Sequence, residues 1–412
     1  MLNKIYQDFT LTNGIRVVHR QTKSLVSHFA IIINAGSRDE NEHEHGIAHF
    51  IEHVIFKGTS KRKSYQVLSR MENVGGEINA FTTKEDTCIY SSFLNKYYER
   101  AIELISDIIF DSIFPEKEIE KEKDVVLDEI NSYKDNPAEE IIDEFEKQLF
   151  GNHSIGRYIL GIPESVRSFS RSKLKKFIRR CYNTDQVVIC SVGNIPFDEL
   201  IKLSTKFFGD RKNNSRQWNR KHFRNYKPFE KIIKKPVHQI HCIIGNIAYS
   251  NQDKMKNPMI LLNNILGGQG MNSRLSMNIR EKFGICYNID SSYNPYSDTG
   301  SFGIYMGTEE QYIEKVISLV HKELAKLRDN KAGTLQFKYA KQQLIGQLAI
   351  SYDHNLNEML SMGKSFLVYK KVDSLEDINR KIENITAMQL MEAANEIFET
   401  KKLSTLIFRA GL

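Results

Sequence analysis

The chain has 412 residues, 41% hydrophobic and 26% charged, the composition of a soluble globular protein long enough for two or more domains. No stretch approaches the ~20 consecutive apolar residues of a membrane span, so a helical membrane protein is excluded. The formal charge is +7, with five widely spaced cysteines (Cys88, Cys181, Cys190, Cys242, Cys286) and no CxxC pair. That pattern points to a reduced, intracellular protein rather than a disulfide scaffold.

The N-terminus, "MLNKIYQDFTLTNGIRVVHRQ", reads as strand, turn, strand, with Asn13-Gly14 as the hairpin turn. It shows neither the apolar core of a signal peptide nor an Arg/Ser-rich transit pattern, so a cytoplasmic location is expected.

The run "EHEHGIAHFIEHVIFKGTS" follows. Residues i and i+4 of a helix share one face, about 6 Å apart along the axis. His49 and His53 can therefore close on one metal ion, with Glu52 beside them. Two neutral imidazoles suit Zn²⁺. A free carboxylate there is placed to take a proton from water. The spacing is HxxEH, the inverzincin signature and the reverse of HExxH. The motif alone leaves a second reading open, two helix-surface histidines without a metal. A third ligand has to be found. His45 shares the face, but His45 to His53 spans about 12 Å, too far for one ion. Gly46 marks the helix start, so His43 and His45 are expected in a loop.

A helix is predicted within "FPEKEIEKEKDVVLDEINSYKDNP" (114–137), entered after Pro115 and ended by Asn136-Pro137. Ile119, Val126, Ile130 and Tyr133 form its apolar stripe, with Leu127 off it. Glu122 and Glu129 are the two acids inside the stripe. A carboxylate on a buried face needs a partner. A zinc ion and a buried salt bridge both satisfy that need, and spacing does not choose between them.

Residues 211–235 hold ten Lys/Arg and one acid, a local +9 that leaves −2 for the rest of the chain. Trp218, Phe223 and Tyr226 interleave the basic residues, as in some nucleic-acid binders. Because the charge is confined to one stretch, a solvated linker is expected and nucleic acid is not an expected partner.

The linker divides two halves that repeat. "HFAIIINAGS" (28–37) parallels "IHCIIGNIAYS" (240–250). "DTCIYSSFLNKYYERAIELISDII" (86–109) parallels "DTGSFGIYMGTEEQYIEKVISLVH" (298–321). "SKLKKFIRRCYNTDQVVICSVG" parallels "MQLMEAANEIFETKKLSTLIFRAG". The shared order predicts an α+β protein of two homologous domains, each a largely antiparallel sheet with helices packed on one face. The expected division is 1–210, linker 211–235 and 236–412. A shift of 212 carries His49, Glu52 and His53 to Leu261, Asn264 and Ile265, so the second domain has no equivalent metal set.

HxxEH followed 76 residues after His53 by Glu129 resembles the insulinase/pitrilysin group of zinc peptidases, with particular likeness to mitochondrial processing peptidase subunits and their bacterial two-domain relatives. "NAGSRDENEHEHGIAHFIEHVIFKGT", "VGGEINAFTTKEDTCIY", "EKEKDVVLDEINSYKDNP" and "SRLSMNIREKFGICYNI" resemble family blocks in the expected order. The resemblance implies a zinc endopeptidase with one zinc per chain, held by His49, His53 and Glu129. It implies Glu52 as general base and Glu122 as a carboxylate orienting a ligand. It makes Asn79-Ala80-Phe81-Thr82 a strand that pairs with a peptide substrate. It makes Arg280 and Tyr287 a pair that holds the substrate and stabilises the oxyanion. Two domains, against four in the single-chain members, imply a homodimer enclosing a chamber around peptides or unfolded segments. The alternative is a non-catalytic subunit or scaffold, since the family includes inactive members.

Overall fold

A computed structural model describes residues 5–411. It forms two compact units, and neither is continuous in sequence. The first comprises residues up to 131 with 157–220 and 350–374. The second comprises 132–156, 221–349 and 375 onward.

The first unit is built on six strands: β1 (Gln7–Thr10), β2 (Arg16–Gln21), β3 (Val26–Ile33), β4 (Glu77–Thr82), β5 (Thr87–Leu94) and β6 (Val187–Gly193). Their order is β1-β2-β6-β3-β5-β4, antiparallel except for the parallel pair of β2 and β6. The expected Asn13-Gly14 turn joins β1 to β2, with Gly14 at φ 93°, where a side chain would be strained. Phe29, Ile31 and Ile33 of β3 enter the main core, with Ile47, Phe50, Ile51 and Val54 of the histidine helix (Ile47–Val54). The alternate residues Ala30 and Ile32 face the other way. There they meet Met359, Met362 and Phe366 of helix Asn355–Tyr369. Burial on both faces explains why Phe29–Ile33 of β3 and Val187–Cys190 of β6 read as apolar runs rather than alternating ones.

The second unit carries β7 (Glu230–Lys235), β8 (Ile240–Ala248), β9 (Cys286–Pro295), β10 (Gly300–Thr308) and β11 (Ser404–Ala410), in the order β7-β11-β8-β10-β9. Only β7 and β11 pair in parallel. One face packs on helices Lys256–Gly267, Ile313–Asp329 and Ala387–Ile397. The other is covered by helix Pro137–Phe150, through Ile141, Phe145 and Leu149 against Ile243, Leu406 and Phe408.

The α+β class with two largely antiparallel sheets is present, and the structure adds one helix on the second face of each. That helix comes from the other half of the sequence. The helix after Asn136 serves the second sheet, and the helix after His354 serves the first.

Residues 211–235 are mostly exposed but anchored at several points. Arg220 pairs with buried Asp39, Trp218 packs on the first unit's core and Arg216 lies over the Trp218 ring. Glu230–Lys235 is itself a strand. Arg211, Arg220 and Lys235 have acidic partners distant in sequence, Asp111, Asp39 and Glu140. No helix among the described residues is long and apolar enough to cross a membrane.

Candidate metal centre

The loop before the histidine helix fixes where that helix begins. Gly46 has φ 88°, and a Cβ there would lie 2.6 Å from the carbonyl oxygen of Leu160. Neither the conformation nor the space accepts a side chain. The first free amides are capped from a distance, with Gly46 N–H donating to Glu40 Oε2 at 2.9 Å and Ala48 N–H to Oε1 at 3.0 Å. Burial pushes the Glu40 carboxyl upward, against the opposing pull of those two amides and Arg157. His43 and His45 precede the helix, as expected.

The acidic helix runs Glu116–Lys134 and packs on the main core through Ile119, Val126 and Ile130, with Leu127 partly buried beside them. Glu122 and Glu129, two turns apart, reach the same histidine helix. Oε2 of Glu129 lies 3.3 Å from Nε2 of His53 and 3.8 Å from Nε2 of His49. One donor atom from each of the three lies within 4.8 Å of the others. Oε2 of Glu122 instead meets Nδ1 of His53, on the far side of the ring, at 3.3 Å. The choice between the two acids, open in the sequence, is thus made by the register of one helix on the other.

The electrostatics suit a cation. Burial, with His53 close by, pushes His49 down to about 4, so its ring is a neutral base. Burial would also lower His53, but Glu129 and Glu122 on its two nitrogens outweigh that and hold it above the ordinary value. The hydrogen bond with His53 keeps Glu129 below the usual carboxylate range. Burial raises Glu52, against the pull of Thr82 and His53. Glu52 Oε2 is buried without a hydrogen-bond partner. Donors of a tetrahedral zinc, each at about 2.0–2.1 Å, stand roughly 3.3 Å apart, which the His53–Glu129 separation of 3.3 Å matches and the His49–Glu129 separation of 3.8 Å slightly exceeds. Two imidazoles and a carboxylate fit zinc in chemistry and spacing.

Asn79, Ala80, Phe81 and Thr82 lie on β4, which ends the sheet and pairs with β5 on one side. The histidine helix packs against this edge strand. Arg280 and Tyr287 lie in the second unit. Arg280 is within a π-helical turn, Ser276–Glu281, and pairs with Glu281 at 3.0 Å. Tyr287 is on edge strand β9, 61% exposed, its hydroxyl donating to Glu309 at 3.1 Å. Sequence reasoning missed Lys57, whose Nζ lies 2.7 Å from Glu122 Oε1. Its position four residues after His53 was the available signal.

Comparison with known proteins identifies the family. A family model described as insulinase (peptidase family M16) matches residues 16–162, and one described as peptidase M16 inactive domain matches 168–344. A Bacillus subtilis (strain 168) protein named uncharacterized zinc protease YmxG is 32% identical over 407 residues, covering 98% of each chain. This chain belongs to the M16 insulinase family of peptidases. Another member, an uncharacterized zinc protease of Rickettsia bellii (strain RML369-C), is 31% identical over 384 residues, covering 92% of this chain and 91% of its own. Zinc is the cofactor of the family and of this chain. Two solved structures share the fold. A Pseudomonas fluorescens protein titled peptidase M16 inactive domain has TM-score 0.92 at 21% identity, covering 99% of this chain and 98% of its own. A protease from Helicobacter pylori has TM-score 0.88 at 20% identity, covering 98% and 99%. The family's inactive-domain model falls on the half whose Leu261, Asn264 and Ile265 replace the metal-helix residues.

Proposed function

We propose that this chain is a zinc-dependent endopeptidase that hydrolyses peptides or unfolded polypeptide segments as a homodimer. The observation that carries the reading is the convergence of His49, His53 and Glu129 donor atoms within 4.8 Å, with a second carboxylate, Glu52, on the same helix. His49, His53 and Glu129 hold the metal. Bound there, zinc supplies a Lewis acid and lowers the pKa of water.

Glu52 is the general base. Its carboxyl, raised by burial, is better matched to proton transfer near neutral pH than an exposed glutamate. Its carboxylate takes the proton of the attacking water and delivers it to the departing amine nitrogen. Glu122 fixes His53 by accepting from Nδ1, which leaves the Nε2 lone pair toward the metal position. The free edge of β4, Asn79 to Thr82, aligns an extended peptide by strand addition. Arg280 and Tyr287 bind the peptide and the oxyanion. Their assignment, and the dimeric chamber, rest on the resemblance to two-domain members that assemble in pairs.

Metal analysis of the purified protein, with mass-spectrometric mapping of products from a mixed peptide library, tests the reading. The expected result is internal cleavage that a chelator abolishes and added zinc restores. Zinc-loaded protein that cleaves nothing in the library would leave the non-catalytic scaffold as the better account.

A further inference from the structure

We propose that Lys57 is a positioning residue for the metal centre, acting through Glu122 on His53; the proposal rests on the zinc reading given above. Three contacts run in series. Lys57 Nζ lies 2.7 Å from Glu122 Oε1, Glu122 Oε2 lies 3.3 Å from His53 Nδ1, and His53 Nε2 lies 3.3 Å from Glu129 Oε2. Each carboxylate oxygen of Glu122 thus has a separate partner, a cation on one side and the imidazole on the other.

The backbone supports the arrangement. The histidine helix ends at Val54, and the chain turns there with Lys57 N–H donating to the Val54 carbonyl at 3.1 Å. The lysine stem therefore stays beside the helix end that carries His53. The Glu122 side chain is 9% exposed and that of Lys57 is 26% exposed. A carboxylate so enclosed is strongly disfavoured without a partner charge. It can also rotate about its terminal bond unless both oxygens are held. Lys57 removes that freedom, so the oxygen facing His53 Nδ1 keeps its place and the ring keeps its tautomer and orientation. Outer partners of a metal-ligating histidine are the groups that fix these two properties.

A purely structural ion pair at the rim would affect unfolding and leave metal binding alone. The two roles separate in a zinc affinity measurement by chelator competition, made on the full-length chain, alongside the visible spectrum of the cobalt-substituted protein. Lys57→Met should weaken zinc binding by about tenfold, the lower end of the range for outer partners of a zinc ligand, and alter the cobalt spectrum. Lys57→Arg should recover most of the affinity, because it restores a cation to Glu122 Oε1. Glu122→Gln should weaken binding on its own, and adding Lys57→Met to it should change affinity by no more than about twofold, the sign of two residues acting in one line. The proposal is overturned if Lys57→Met binds zinc like the wild type, or if its loss and that of Glu122→Gln multiply in the double variant. His49→Ala and Glu129→Ala distinguish the underlying reading. If neither lowers zinc affinity, the metal site is misassigned and the role of Lys57 falls with it. If both do and Lys57→Met does not, Lys57 alone is wrong.

Discussion

Arg220 grips Asp39 through two parallel hydrogen bonds, Nε to Oδ1 at 2.8 Å and Nη2 to Oδ2 at 2.7 Å. The Asp39 side chain is fully buried, and its Oδ2 also accepts from Gly36 N–H at 3.0 Å. The same guanidinium donates to the Glu85 carbonyl at 2.6 Å. One basic residue thus ties down the turn that precedes the histidine helix. Removing one member of a buried pair strands the other charge, so Arg220→Ala should destabilise the first unit by roughly 3–5 kcal/mol. Arg220→Lys should recover little, because a single ammonium cannot reproduce the fork. Urea unfolding of the three proteins checks this. A loss below about 1 kcal/mol would place the pair among solvated surface contacts.

Asp39 and Arg220 also show why part of the fold was illegible in the sequence. Counting charge treats each Arg as solvated, and nothing local says that a partner waits 181 residues earlier. The histidine helix was legible because one short motif carries both its period and its chemistry. So was the Asn13-Gly14 turn, where backbone conformation selects the residues. Glu122 and Glu129 could not be told apart, since both lie on the stripe and only the packing register of two helices separates them. The exchanged helices were hidden for a different reason. Pro137–Phe150 and Asn355–Tyr369 each carry an apolar face that would suit either copy of a repeated sheet, and periodicity does not say which one it covers.

His49, His53 and Glu129 should together bind about one zinc per chain. His49→Ala or Glu129→Ala removes one of three protein ligands, and each should lower both metal content after dialysis and peptide cleavage. Elemental analysis against protein concentration provides the measurement. A Glu129→Ala protein with undiminished zinc affinity would refute the third-ligand assignment.

Glu52→Gln keeps the size and hydrogen-bonding capacity of the side chain but cannot accept a proton. Zinc content and peptide binding should persist while turnover falls by about 10² or more. Stopped-time cleavage assays at saturating peptide separate the two effects. Near-normal turnover in this variant would remove Glu52 from the mechanism.

His19 supplies a pH dependence unconnected with the metal. It is fully buried in β2, with Nδ1 3.0 Å from the Ser191 carbonyl and Nε2 3.0 Å from that of Ile195. Burial holds its pKa below the ordinary value, outweighing the upward pull of the two carbonyls. As pH falls, the unfolded chain therefore takes up this proton before the folded one, and stability falls with it. The contribution is intact above about pH 6.5 and is lost as pH drops through the folded pKa. His19→Gln, though less stable throughout, should lose less stability than the wild type between about pH 7 and about pH 5. Urea midpoints at those two pH values decide it, and equal losses in both proteins would exclude His19.

The proposed dimer makes the most demanding prediction. The metal set lies in the first unit and Arg280 and Tyr287 lie in the second. If two chains face each other, the zinc of one works with Arg280 and Tyr287 of its partner. A Glu52→Gln protein and an Arg280→Ala/Tyr287→Phe protein would each be inactive alone. In a mixed dimer, one site collects both defects and the other collects none. Random exchange between equal amounts gives about half mixed dimers, by two-fold symmetry. One sound site of two then restores roughly a quarter of wild-type activity, provided the sites act independently. Subunits have to exchange, so the proteins are mildly denatured together and refolded, and mixed dimers are identified by two different affinity tags. Activity that stays at background in a tag-verified mixed dimer would show that each chain does not borrow these residues from its partner.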